Sequence, residues 1–254
     1  MIRTVLAWSA LFLLTPLCGL ASLLTRSLGV AWNDPVMTWL VRFWQRGILR
    51  AAGVEVVVHG SEHARGQHLY VSNHTSPFDI LALLDCLTNV RFIAAAWLAR
   101  VPVFGAWARA AGTIYIDSAR PRASADAYRH AATALAAGAS IAIFPEGMRG
   151  YEYSLRPFAT APFALSIDTG VPIVPVVIHG TICVPRKGYS RVCADRVNVH
   201  LLEPVAVRGL TRADRHHLTM LVRERMATLL RDTYGVASPP WYPRALALRS
   251  SGQL

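Results

Sequence analysis

The sequence has little charge and almost no lysine. Only 16% of its 254 residues are charged, and Lys187 is the single lysine among 26 basic residues. The arginines are scattered along the chain without a recognition-helix, zinc or base-stacking motif, which argues against nucleic acid as a partner. The formal charge of +11 and the hydrophobic content of 53% instead suit a protein that works at an anionic lipid surface.

Cysteine is also scarce, and internal repeats are lacking. The four cysteines are far apart in the sequence and include no close pair that would bind a metal ion: Cys18, Cys86, Cys183 and Cys193. This scatter predicts packing residues rather than disulfides. We therefore predict neither a metal site nor a cofactor.

Charge is absent from the stretch between Arg3 and Arg26. At about 20 residues this stretch is long enough to cross a hydrocarbon core or to insert obliquely, although Pro16 and Gly19 interrupt it. A cleaved secretory signal is the alternative, because Arg3 precedes the apolar run and residues 19–21 resemble a cleavage site. Positive charge is denser after the run than before it, which predicts the inner membrane as the location and the cytoplasm as the side that holds the rest of the chain.

A second helix is predicted to begin at Asp34-Pro35. Its apolar residues share one face in a helical projection, and its arginines cluster opposite. The apolar face comprises Met37, Leu40, Val41, Trp44 and Ile48, and the basic face comprises Arg42, Arg46 and Arg50. Such a pattern fits an interfacial helix in lipid and also a helix docked on the protein's own core.

Strand-like and helix-like segments alternate after residue 50, which predicts an α/β fold with a mostly parallel mixed sheet flanked by helices. The strand-like segments are 54–58, 69–71, 112–117, 140–144, 171–178 and 197–207, and the helix-like segments are 80–87, 122–137 and 211–234. We assign residues 51–236 to this single domain. Residues 237–254 contain three prolines and are predicted to form a loosely held tail.

The most informative pattern is the pair His74 and Asp79, five positions apart. Neutral imidazole is a competent base near pH 7 when a carboxylate fixes its tautomer and stabilises the imidazolium that forms. No serine nucleophile is needed if the substrate brings its own hydroxyl, so the pair suggests hydroxyl activation. The structural alternative is a helix start in which Ser76 is the N-cap, Pro77 the first helical residue and Asp79 part of a capping box.

Three polar loops are predicted to follow strands of the same sheet. His74 leaves the strand at 69–71, Glu146 follows the strand at 140–144, and Arg120 and Arg122 come after the strand at 112–117. Ligands in open α/β sheets bind at the carboxyl ends of the strands. We therefore expect these loops to line one cleft.

Four blocks of the sequence occur together in an order that resembles the glycerolipid acyltransferase family, specifically the 1-acyl-glycerol-3-phosphate acyltransferases. They are Asn73-His74-Thr75-Ser76-Pro77-Phe78-Asp79, then 112–117, then Phe144-Pro145-Glu146-Gly147 with Arg149, and then 171–176. The resemblance implies transfer of a fatty acyl group from acyl-CoA or acyl carrier protein to the free hydroxyl of a lysophospholipid. It implies His74 as the base and Asp79 as its orienting acid.

By the same resemblance, Glu146, Gly147 and Arg149 contact the glycerol phosphate of the acceptor. A guanidinium suits phosphate, whereas Glu146 would repel it and is expected to accept from an acceptor hydroxyl, hold an arginine or organise its loop. The N-terminal helices of the family favour lipid as the environment of residues 1–50.

Several positions depart from the family pattern and thin the expected phosphate site. Ser118 stands where the family usually has arginine, which Arg120 or Arg122 could replace, and Met148 stands in place of threonine. The family's Phe-Lys-Lys-Gly run reads Phe158-Ala159-Thr160-Ala161 here. Another acceptor, such as a lyso-ornithine lipid, is therefore an alternative, as are a lipid hydrolase that uses water and a membrane-binding protein without turnover.

Overall fold

The computed structural model describes residues 2–32, 34–117, 119–181 and 196–241. The predictions that concern Ser118, Cys183, Cys193 and the end of the tail lie outside these residues. Within the described ranges the chain forms seven α-helices, seven strands and three short 3₁₀ helices. The helices are α1 (Ile2–Ser27), α2 (Pro35–Ala52), α3 (Phe78–Cys86), α4 (Phe104–Ala110), α5 (Pro121–Ala136), α6 (Ala161–Thr169) and α7 (Arg215–Tyr234). The strands are β1 (Glu55–His59), β2 (Leu69–Ser72), β3 (Val90–Ala95), β4 (Ile114–Ile116), β5 (Ser140–Ile143), β6 (Ile173–His179) and β7 (Arg196–Leu201).

The described strands form one mixed sheet in the order β1-β7-β6-β2-β5-β3-β4. Strand β2 lies between β5 and β6 and runs parallel to both, with Val71 beside Ile143 and Ser72 beside Val176. Among the pairs of described strands, only β6–β7 is antiparallel, and an isolated bridge between Ile173 and Val205 is also antiparallel. The predicted mostly parallel mixed sheet is confirmed, and the loops that follow β2, β5 and β6 start at the same edge.

Helices cover both faces of the sheet and create two apolar cores. In β2, Leu69 and Val71 face the first core, which contains α5, α6 and α7, whereas Tyr70 faces the second core, which contains α2, α3 and α4. A parallel sheet buried on both sides reads as a run of apolar residues, which explains why β2 and β5 are fully buried along their length. Of the predicted packing cysteines, Cys18 is buried in the second core and Cys86 packs at its border.

Helices α1 and α2 form an antiparallel hairpin against the second core. Asp34 caps α2 by accepting a hydrogen bond from the backbone N–H of Val36 at 2.8 Å. The indole N–H of Trp44 donates to the hydroxyl of Thr15 on α1 at 3.0 Å. The absence of a side chain at Gly47 allows the helices to approach closely there, since a Cβ would lie 2.6 Å from a methyl carbon of Leu14.

The expectation that the apolar face of α2 contacts lipid is wrong. Met37, Leu40, Trp44 and Ile48 are each at most 9% exposed and pack against the protein itself. Amphipathic periodicity reports only that one face leaves water, and it is the same for a protein core and a bilayer. The apolar surface that remains exposed on this hairpin belongs to α1 and to other residues of α2.

Helix α1 is 26 residues long and contains an 18-residue stretch with a mean hydropathy of 1.8, so by length and composition it could cross a membrane. Only 17% of the residues in this apolar stretch are buried, and Phe12 and Leu13 are each 70% exposed. On α2, the rings of Trp39 and Phe43 stack at 5.3 Å and are also exposed. A soluble core helix would bury these side chains, so their exposure supports association of the hairpin with a membrane.

The first residues of the predicted tail are attached to the domain. The Ser238 hydroxyl accepts a hydrogen bond from the N–H of Leu155 at 2.9 Å, and the carbonyl of Pro239 accepts one from Arg223 at 2.9 Å. Trp241 packs on the first core. The folded domain therefore reaches Trp241, beyond the predicted boundary at residue 236.

Candidate active site

The loop that follows β2 is fixed at its first residue by Asn73. The side-chain amide of this buried residue donates to the carbonyl of Ile178 at 2.9 Å and accepts from the N–H of Ile178 at 2.8 Å. These two bonds continue the pairing of β2 with β6 past the end of the ladder. The next residue, His74, therefore leaves the sheet at a fixed point.

His74 and Asp79 are hydrogen-bonded, with 2.8 Å between Nδ1 and Oδ2. The same carboxylate oxygen accepts the backbone N–H groups of Thr75 at 2.7 Å and Ser76 at 2.8 Å. Because Oδ2 acts as an acceptor for all three groups, Nδ1 of His74 carries the proton and Nε2 keeps a free lone pair. Asp79 is fully buried, whereas the side chain of His74 is 16% exposed, so the imidazole can receive a proton from a bound ligand.

Asp79 also has the predicted structural role at the start of α3. Its carboxylate accepts the N–H of Ser76, and the Ser76 hydroxyl accepts the N–H of Phe78 at 3.3 Å. This reciprocal pattern stabilises the start of α3. The two interpretations of Asp79 are therefore compatible, because one oxygen performs both.

The remaining freedom of His74 is removed by the loop after β5. The imidazole stacks on the ring of Phe144 with 4.0 Å between centroids and 16° between planes. The backbone N–H of His74 donates to Oε1 of Glu146 at 2.9 Å, and its carbonyl accepts from the N–H of Gly150 at 2.8 Å. The imidazole of His74 is thus held at its ring face and Nδ1, and the residue is also held at its backbone.

Glu146 organises two segments of backbone. Its second carboxylate oxygen accepts the N–H of Arg156 at 3.1 Å. Burial raises the pKa of this carboxyl, while the two N–H donors and the charges of His74 and Arg156 act in the opposite direction. Both oxygens serve as loop organisers, and Gly147 follows with φ of +74° in an exposed turn.

The predicted phosphate ligands are placed unevenly. Arg149 is exposed on the loop that carries Glu146, one residue before Gly150. Arg120 precedes α5, is 79% exposed and pairs with Asp117 at 3.4 Å, and Arg122 is exposed in the first turn of α5. They follow β4, which is separated from β2 by β5 and β3, so at about 4.8 Å per strand they begin roughly 14 Å from the His74 strand.

Arg223 supports the site, although the sequence analysis did not select it. It lies on α7, is 4% exposed, and donates to the carbonyls of Leu155 at 2.7 Å, Arg156 at 3.3 Å and Pro239 at 2.9 Å. Burial lowers the pKa of its guanidinium. An arginine between the buried Val222 and Met226 was the available signal, because a charge on a core-facing stripe requires a polar partner.

A group of stacked histidine and tyrosine rings lies on the neighbouring strands β1, β6 and β7, on α7 and on the loop after β5. His179 lies between Tyr153 and Tyr234, with centroid distances of 4.1 Å and 3.8 Å. His200 contacts the hydroxyl of Tyr234 at 2.7 Å and stacks on His59 at 4.2 Å. Burial lowers the pKa of His200 to about 4, which keeps this imidazole neutral.

Comparisons with known proteins agree with this geometry. Residues 55–179 match the acyltransferase family. Over 184 residues the chain is 32% identical to 1-acyl-sn-glycerol-3-phosphate acyltransferase alpha of Homo sapiens, covering 71% of this chain and 65% of the human protein. Over 114 residues it is 36% identical to a chloroplastic 1-acyl-sn-glycerol-3-phosphate acyltransferase of Brassica napus, covering 44% of this chain and 33% of that protein.

The chain thus spans between a third and about two thirds of the length of these relatives. Its fold is shared with the crystal structure of the 1-acyl-sn-glycerophosphate acyltransferase PlsC from Thermotoga maritima, with a TM-score of 0.76 and 23% identity over 94% of this chain and 99% of that one. The resemblance seen in the sequence is confirmed, and residues 55–179 belong to the acyltransferase family.

Proposed function

We propose that this protein transfers a fatty acyl group from a thioester to the free hydroxyl of 1-acyl-glycerol-3-phosphate, giving phosphatidate. Coenzyme A or acyl carrier protein would carry the thioester. The family and the names of the relatives support this acceptor. The observation that carries the proposal is the 2.8 Å bond between Nδ1 of His74 and the buried Asp79, which leaves Nε2 as a base.

In the proposed reaction, Nε2 of His74 takes the proton of the acceptor hydroxyl as its oxygen attacks the thioester carbonyl. A tetrahedral oxyanion forms, and the carbon–sulfur bond then breaks. The imidazolium gives its proton to the leaving sulfur, so a thiol departs and His74 becomes neutral again. Asp79 stabilises the imidazolium by accepting from Nδ1 throughout. The acyl group passes directly to the acceptor, so the enzyme forms no covalent bond.

The rigidity of the base supports a catalytic role. His74 is restrained by Asp79, Phe144, Glu146 and Gly150 in a loop that Asn73 anchors to β6. An imidazole fixed in this way loses little entropy when the substrate binds, which favours proton transfer in a single geometry. A histidine with only a packing role would not require a buried carboxylate on Nδ1.

The glycerol phosphate of the acceptor is proposed to bind along the loop after β5. Arg149 supplies an exposed guanidinium, and Gly147 and Glu146 shape the turn that presents it. Contact of Arg120 and Arg122 with the acceptor stays a prediction, since both begin on the far side of β5 and β3.

The proposed site of action is the cytoplasmic surface of the inner membrane. Exposed apolar residues on α1 would insert into lipid, and the arginines after α1, which include Arg42 and Arg46, would face the cytoplasm. A flotation assay with anionic vesicles would test membrane association, and protease protection in spheroplasts would test the side. Digestion from the periplasm would contradict the orientation.

The test of function is an assay with a labelled thioester against a panel of lysolipids, in the full-length protein and in His74→Ala. The wild type should form phosphatidate, and His74→Ala should lower kcat by roughly 100- to 10,000-fold. His130→Ala, an exposed histidine on α5, is the matched control and should retain full activity. Release of free fatty acid without a lysolipid would identify a hydrolase, and no turnover of any thioester would leave only a binding role.

A further inference from the structure

We propose that Arg156 binds the phosphate of the acceptor and thereby selects phosphate-bearing lysolipids. The inference rests on the proposed function and names a residue that deepens it. Its basis is the position of Arg156 beside the proposed base, a guanidinium without a side-chain partner among the described residues, and the support of its backbone.

A single carboxylate places Arg156 next to His74. Oε1 of Glu146 accepts the N–H of His74 at 2.9 Å, and Oε2 accepts the N–H of Arg156 at 3.1 Å. The two oxygens of one carboxylate lie about 2.2 Å apart, so these bonds bring the two backbones to opposite sides of one functional group. The side chain of Arg156 therefore starts within the site, although it is far from His74 in sequence.

The side chain of Arg156 then passes Gly150. A Cβ built on Gly150 would lie 3.9 Å from Cδ of Arg156, and the N–H of Gly150 donates to the carbonyl of His74 at 2.8 Å. The arginine stem therefore runs along the segment that fixes the base. The side chain thus lies beside the His74 loop at least as far as Cδ.

The guanidinium of Arg156 has no ion pair or hydrogen bond with any side chain in the described ranges. It is near Glu146, since its charge lowers the pKa of that carboxyl against the effect of burial. Glu146 accepts the backbone N–H of Arg156 and forms no ion pair with its guanidinium, so the carboxylate does not occupy the guanidinium fork. A half-buried arginine with its donors free is suited to a bidentate anion such as a phosphate monoester.

Arg223 holds the backbone of Arg156 in place through hydrogen bonds. That buried guanidinium donates to the carbonyls of Leu155 and Arg156 and lies 5.9 Å from the ring centre of Trp241. Farther along, the N–H of Ala159 donates to the carbonyl of Pro145 at 2.8 Å. The segment is thus fixed on both sides of Arg156, which preorganises its charge for the acceptor.

Other arginines near the site lack this combination. Arg149 is exposed at the turn, and Arg120 is 79% exposed and paired with Asp117. Arg156 is the cation whose own backbone bonds to the same carboxylate as the base. The geometry therefore points to Arg156 as the ligand that positions the phosphate relative to Nε2 of His74.

The experiment compares Arg156→Gln, Arg156→Lys and Arg208→Gln in the full-length protein. KM and kcat are measured with 1-acyl-glycerol-3-phosphate and with 1-acylglycerol, which has no phosphate, and inhibition by glycerol 3-phosphate is titrated. Arg156→Gln should raise KM for the phosphate acceptor and Ki of glycerol 3-phosphate by roughly 10- to 100-fold, the loss of a charge-assisted hydrogen bond. Its kcat should change less than about threefold, and Arg156→Lys should be intermediate.

The exposed Arg208, outside the proposed site, is the control, and its glutamine variant should match the wild type. Thermal melting followed by circular dichroism checks that each variant is folded. An equal change for both acceptors, a fall in kcat at constant KM, or an unchanged Ki would overturn the role of Arg156. If the wild type acylates no lysolipid, the proposed function itself fails, whatever the Arg156 variants do.

Discussion

Removal of the Asp79 carboxylate should damage both catalysis and folding, whereas removal of the His74 imidazole should damage mainly catalysis and cost less stability. Oδ2 of Asp79 would serve the proposed catalytic role through His74, and it serves the structural role through the N–H groups of Thr75 and Ser76. The comparison of Asp79→Ala with His74→Ala therefore separates the two roles of one oxygen.

The magnitudes follow from the bonds that each variant loses. Asp79→Ala leaves two backbone N–H groups without their acceptor, at about 1–3 kcal/mol each, so it should lower the free energy of unfolding by roughly 2–6 kcal/mol. His74→Ala loses one hydrogen bond and a ring stack on Phe144, and about 1–2 kcal/mol is expected. Both should reduce kcat by roughly 100- to 10,000-fold.

The assay measures acyl transfer to 1-acyl-glycerol-3-phosphate and thermal unfolding in the same detergent for the single variants and the double variant. The effects of substitutions at residues that act as one unit do not add, so the kcat of the double variant should be close to that of the less active single variant. If Asp79→Ala kept a tenth or more of the wild-type kcat while losing stability, Asp79 would be only a helix cap. A multiplicative loss in the double variant would also refute the coupling.

Three further perturbations test the frame around the site. Asn73→Ala should lower stability by about 2–4 kcal/mol in chemical denaturation, since both bonds to Ile178 are buried; no loss would mean that the loop is not anchored there. Lowering the pH from 6.5 to 4 should lower the free energy of unfolding by up to about 2 kcal/mol after solvent screening, because the unfolded chain protonates His200 whereas the fold keeps it neutral. His200→Phe should therefore flatten the dependence of Tm on pH. Gly105→Ala should destabilise the fold by roughly 1–3 kcal/mol, since the new Cβ would lie 2.2 Å from the backbone carbonyl oxygen of Ala99, and an unchanged melting curve would contradict this contact.

The elements that could be predicted are those whose local pattern agrees with their burial. Strands β2 and β6 are short apolar runs between polar segments, and the capping box of Thr211 and Asp214 starts the short 3₁₀ helix that leads into α7. Strand β3 and helix α6 were missed, since a strand of six residues and a helix of nine have little periodicity of their own. Both are stabilised by tertiary packing, as the complete burial of Phe163 on α6 shows.

The site divides in the same way. The contact between His74 and Asp79 spans a loop and the first turn of a helix, so the sequence alone predicted its proximity. The bond from the N–H of His74 to Glu146 joins residues 72 positions apart, and that from Arg223 to Arg156 joins residues 67 apart. Such contacts depend on β5 lying beside β2 and on where α7 packs, and spacing in the sequence carries neither.

The distribution of hydrogen bonds at the two carboxylates explains how a site with few basic groups could still attract a phosphate. Oδ2 of Asp79 and both oxygens of Glu146 accept backbone N–H groups, and neither carboxylate forms an ion pair with an arginine in the described residues. Had Glu146 formed an ion pair with Arg156, this cation would be neutralised, and an incoming phosphate would have to displace the carboxylate. Because the carboxylate of Glu146 accepts neutral backbone N–H groups and forms no ion pair with an arginine of the described residues, the charges of Arg149 and Arg156 stay available to the acceptor.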